Sequence, residues 1–81
     1  MGVEYKIKFN VPTDYKPTHV LDRLPSPIQK PEMFEIYNYS VEKDGFYFLD
    51  HLVNPQVASV ALKCFIDEAL KYSPQVHVEE L

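Results

Sequence analysis

The chain has 81 residues, 46% of them hydrophobic and 25% charged, with a formal net charge of −4. That composition describes one small globular domain over residues 1–81, too apolar for a disordered chain and too acidic to hold nucleic acid or anionic lipid through summed cationic contacts. A single cysteine excludes an internal disulfide framework and a Cys-rich zinc site, and no apolar run approaches the ~20 residues of a membrane span, so the expectation is a soluble, cytoplasmic protein.

Val3, Tyr5, Ile7, Phe9 and Val11 alternate with Glu4, Lys6, Lys8 and Asn10, the period-two signature of a strand buried on one face. Pro12-Thr13-Asp14 ends it. From Tyr15 to Pro31 the prolines 17, 25, 27 and 31 oppose regular structure; only Thr18 to Leu24, with Val20, Leu21 and Leu24 at helical spacing, predicts a short helix, followed by an extended Pro-rich segment over Pro25–Pro31. Glu32 to Val41 reads as a second strand in which Phe34 and Ile36, then Tyr37, Tyr39 and Val41, mark the two faces. Asp44-Gly45 is a hairpin signal, and Phe46 to Leu52 is the return strand.

Asn54 to Tyr72 is the one long periodic segment. Asn54 is a strong N-cap type, Pro55 suits the first helical position, and Ser73-Pro74 closes the far end. At about 100° per residue, Ala58, Ala61, Leu62, Phe65, Ala69 and Tyr72 share one face, opposite Gln56, Ser59, Lys63, Asp67 and Lys71. The apolar arc is wider than one sheet requires: Val57 and Cys64 extend it on one side, Ile66 and Leu70 on the other, and Val60 interrupts the polar face. Gln75 to Glu79 alternates again as a short last strand. The acidic groups Asp67-Glu68 and Glu79-Glu80 read as solvated.

Strand, short helix, hairpin, long helix and strand together predict an α+β fold: a four-stranded, mainly antiparallel sheet in ferredoxin-like order 4-1-3-2, with one long and one short, degenerate helix on one face. The other face is then open. Either register of the third strand places aromatics there, and exposed apolar sheet of that size is usually covered by a partner. The expectation is a non-catalytic homodimeric interaction or regulatory module, with Tyr37, Tyr39, Phe46, Phe48 and Leu70 as interface candidates and a further protein partner as an option. The alternative is a small-molecule-binding protein or cofactor-free enzyme, with Asp50 and His51 as polar groups in a cleft near the Pro-rich loop and hairpin.

Gly45-Phe46-Tyr47-Phe48-Leu49 resembles the third-strand signature of RNA-recognition motifs, whose outward aromatics stack on bases. Asp44 stands where that signature carries a basic residue, Tyr47 where it has a small one, and His51 where it has an aromatic. With an acidic chain and no partner signature on the first strand, nucleic acid ranks third. No cofactor or metal is expected, because there is no Gly-rich phosphate loop and no two histidines have local ligand spacing. Asp50 and His51 are adjacent on a strand and so face opposite ways, which excludes a catalytic dyad. Cys64, beside Phe65, reads as a small apolar filler.

Overall fold

The computed structural model describes residues 2–25 and 35–81. Its elements run β1 (Val3–Lys8), α1 (Thr18–Arg23), β2 (Tyr37–Glu42), β3 (Gly45–Asp50), α2 (Pro55–Tyr72) and β4 (His77–Glu80). The strands form one sheet in the order β2-β3-β1-β4, with every pair antiparallel. This is the ferredoxin-like order expected from the sequence, one long helix and one short helix accompanying a four-stranded sheet.

The long helix starts where its chemistry says it should. Asn54 Oδ1 accepts the backbone N–H of Val57 at 3.2 Å, and Pro55 occupies the first turn. Ser73 ends it in an extended conformation, its N–H returning to the Ala69 carbonyl while its hydroxyl accepts from the Asn10 N–H at 3.0 Å. The helix end is thereby tied to the chain that leaves β1.

The core lies between α2 and the inner face of the sheet. Ile7 pairs in register with Phe46, and Tyr5 with Phe48, so these four side chains share a face. Phe65 on α2 reaches Phe46 and Tyr39 at ring-centre separations of 5.0 Å and Phe48 at 5.9 Å. The buried alanines 58, 61 and 69 let the helix approach the strands closely enough for those contacts. Each large side chain fully buried in this way contributes ~1.5–3 kcal/mol.

Several boundaries differ from the sequence expectation. β2 begins at Tyr37, and Glu35 and Ile36 carry helical backbone where the sequence suggests strand, while Glu32 to Phe34 lie outside the described residues. The only true alternation in that stretch is Tyr37, Tyr39, Val41 against Asn38, Ser40, Glu42. The hairpin loop is Lys43-Asp44, with Gly45 already paired to Glu42 as the first residue of β3. The last strand is shifted to His77–Glu80. Most of the predicted Pro-rich extension, with Phe34, lies outside the described residues.

Candidate functional site

The inner register of β3 decides what the open face presents. Phe46 and Phe48 point toward α2 and are fully buried, as is Tyr37 on β2; Tyr39 packs on Phe65. None of these four supplies open sheet surface, which corrects their expected place on the exposed side. The run of aromatics at 46, 47 and 48 gave period two nothing to choose between. Gly45 to Leu49 therefore lacks the arrangement of an RNA-recognition motif, since the two phenylalanines face the core.

The open face is built instead from Glu4, Lys6 and Lys8 on β1, Asn38, Ser40 and Glu42 on β2, Tyr47 and Leu49 on β3, and His77 and Glu79 on β4. These groups pair with one another. Tyr47 donates to Glu4 at 2.9 Å, Lys8 meets Glu79 at 2.9 Å, and His51 shares a hydrogen bond with Asn38. At the centre, Lys6 is only 9% exposed and is clasped by Glu42 and, at 2.6 Å, Asp44. Burial alone would lower its pKa, but the hydrogen bonds to Asp44 and Glu42 outweigh it and hold the ammonium above the ordinary lysine value. Asp44 moves the other way, held low chiefly by that Lys6 bond. The cations of this face are thus neutralised within the chain.

Asp50 and His51 do not meet. The Asp50 carboxylate accepts the Leu52 N–H at 2.8 Å, closing a turn in which Leu52 takes the left-handed conformation, φ 64°. His51 lines a hollow of about 350 Å³ with Gly2, Glu4, Leu49 and Leu81, at the far end of the sheet from the hairpin. A separate cleft of about 500 Å³ lies beside α1, lined by Tyr15, Lys16, His19 and Tyr72. No three His, Cys, Asp or Glu side chains gather as metal ligands among the described residues, and none of the described helices is long and apolar enough to cross a membrane.

Glu68 does not lie on the solvated surface that the sequence suggests. It is fully buried, accepting from Tyr15 Oη at 2.8 Å and from Arg23 Nη2 at 3.1 Å, with Lys71 Nζ 3.6 Å away. The signal was present: Glu68 lies three residues after Phe65 and four before Tyr72, on the buried face, whereas Asp67 is turned out to pair with Lys63 at 2.7 Å. Burial, then the bond to Glu68 and its charge, push the Tyr15 hydroxyl well above the ordinary tyrosine range.

Tyr37 is 1% exposed, and its hydroxyl has no hydrogen-bond partner among the described residues. Burial, then the neighbouring Tyr39 and Cys64, push its pKa up to about 12 from the usual 10. A folded value raised in this way gives stability that is present below pH ~10 and is lost as pH rises toward 12. Tyr37→Phe is expected to stabilise the chain by ~1 kcal/mol at pH 7, by removing a buried hydroxyl with no partner among the described residues, and to flatten the alkaline loss. Urea unfolding at pH 7 and pH 11 checks both parts; a destabilised variant at pH 7 would show that the hydroxyl has a partner.

No protein-family model, curated protein or solved structure matches this chain.

Apolar side chains stay exposed at several places, among them Leu52 and Val53 after β3, Val60 on α2, and Leu70 on α2 with Val78 on β4. Tyr37 and Cys64 are neighbours, and Cys64 Sγ reaches the Arg23 carbonyl at 3.6 Å, so that flank of α2 faces β2 and α1. The opposite flank carries Leu62, Ile66 and Leu70, an i, i+4, i+8 ridge on the side of β1 and β4. Leu70 is 45% exposed there, and Val78, on the inner face of β4 in register with Ile7, is 41% exposed.

Proposed function

We propose that the chain is a non-catalytic association module that works as a homodimer. The observation that carries this reading is the exposed apolar strip of Leu70 on α2 and Val78 on the inner face of β4, a strand that pairs only with β1 among the described residues. An apolar strip against an unpaired strand edge is the usual mark of a surface awaiting a partner. A second copy also enlarges the core of a domain this small. The open sheet face supports the reading by contrast, because its own side chains already satisfy its charges. Cys64, the chain's single cysteine, fits a reducing compartment such as the cytoplasm.

Sedimentation equilibrium across a wide concentration range tests the reading. The wild type is expected to dimerise, Leu70→Glu and Val78→Lys to raise the dissociation constant at least ~10-fold, and Tyr47→Ala on the open face to leave it unchanged; ten-fold corresponds to 1.4 kcal/mol. Circular dichroism establishes that each variant is folded. A wild type that stays monomeric at every concentration overturns the proposal.

A further inference from the structure

We infer that two copies join by antiparallel pairing of β4 with β4, centred on Val78, to make one continuous eight-stranded sheet. This rests on the homodimer reading and specifies its geometry.

The backbone gives the first argument. The Leu81 N–H donates to the Glu4 carbonyl at 2.9 Å, and Lys6 pairs with Glu79 and Lys8 with His77. In an antiparallel ladder alternate residues turn their N–H and C=O groups to the same side. Residues 77, 79 and 81 therefore point to β1, while Val78 and Glu80 point to the free edge. Centring the two-fold on Val78 lets its N–H and C=O exchange two hydrogen bonds with the second copy's Val78, and sets Glu80 opposite the second copy's Val76.

Side chains select that register over its neighbours. Residues opposite each other share a face, so the strands can slip only by steps that preserve parity. With Val78 at the centre, His77 stands opposite the second copy's Glu79, twice by symmetry. The open-face row then reads Lys6, Glu79, His77, Lys8 across the junction, adding the second copy's His77 to a Glu79 that already lies 2.9 Å from Lys8 and 3.6 Å from His77 of its own chain. On the inner face Val78 meets Val78 beside the Ile66 flank. Centring on Glu79 instead sets that carboxylate against its own copy. Centring on His77 sets Pro74, which has no N–H, opposite Glu80. Of the three, only the Val78 register avoids both a carboxylate set against its own copy and a proline opposite an edge-facing residue.

Two measurements test it. In a Cys64→Ala background, Val78→Cys is expected to give a covalent dimer under copper–phenanthroline oxidation, because directly opposed residues lie ~5.5 Å apart at Cα, within disulfide reach. Glu79→Cys is expected to cross-link at least ~10-fold less, being one position from the two-fold axis on each strand and so two positions out of register with its own copy. In the unmodified chain, amide exchange at Val78 and Glu80 is expected to slow at least ~10-fold between monomeric and dimeric concentrations. Preferred cross-linking through Glu79→Cys overturns the register. A dimer by sedimentation without protection of Val78 and Glu80 overturns edge pairing while leaving the homodimer intact, and a monomer throughout overturns both.

Discussion

Gly45→Ala is expected to leave the chain without a stable native fold. Gly45 opens β3 opposite both Glu42 and Lys8, with φ +153°, a backbone conformation that side chains rarely adopt. A Cβ built there would lie 2.8 Å from the Ile7 carbonyl carbon and 3.0 Å from Lys8 Cα, and closer still to the Ile7 oxygen. These are backbone atoms of the central strand, so no side chain can swing aside. Relief requires β1 and β3 to part at the pair Ile7–Phe46, on the inner face where Phe65 packs. The backbone strain alone costs ~1–3 kcal/mol, and the steric term brings the total above ~4 kcal/mol. A domain of this length has only about 4–12 kcal/mol in all. Urea unfolding followed by far-UV circular dichroism, with near-UV dichroism of the buried aromatics, checks this. A variant that keeps a cooperative transition within ~1 kcal/mol of wild type would mean that the two strands are not held in this close approach.

That glycine also shows how much of the fold was legible in the sequence. Asp44-Gly45 marked the hairpin correctly, but for a reason other than the one that fixes the glycine: the loop is Lys43-Asp44, and Gly45 is required by a neighbouring strand that no local pattern reveals. Local chemistry placed what depends on local chemistry. Asn54 and Pro55 start α2, and the element order yields the observed sheet order because few topologies connect such elements with short links. The candidate site was less legible. Period two distinguishes the faces of β1, where lysines alternate with apolar residues, but Phe46-Tyr47-Phe48 is apolar on both sides, so the register followed only from pairing with Ile7 and Tyr5. Leu70 is 45% exposed. Tyr37, Phe46 and Phe48 went to the core, and the open face proved to be a surface of paired charges.

The buried carboxylate carries the second large effect. Glu68→Ala is expected to cost ~3 kcal/mol, since it removes the acceptor that Tyr15 and Arg23 share and leaves a cavity beside Tyr15. The loss should not divide evenly among its partners. Arg23 is 41% exposed at its side chain and can return to water, and Lys71, at 3.6 Å, is more exposed still, so each pair contributes as a screened surface interaction does. Tyr15 is different, because its ring lies against Phe46 and Tyr72 and its hydroxyl points at Glu68. A double-mutant cycle is therefore expected to give ~1–2 kcal/mol of coupling for Tyr15→Phe with Glu68→Ala, and under ~0.5 kcal/mol for Arg23→Ala with Glu68→Ala. The raised Tyr15 hydroxyl adds a pH signature: stability is intact below the ordinary tyrosine value near pH 10, and declines above it as the unfolded chain ionises first. Tyr15→Phe should remove part of that decline. Equal coupling for Arg23 and Tyr15 would mean that charge rather than a buried hydrogen bond holds Glu68. A Glu68→Ala variant as stable as wild type would mean that α1 and the chain leaving β1 are not anchored to α2 through this residue.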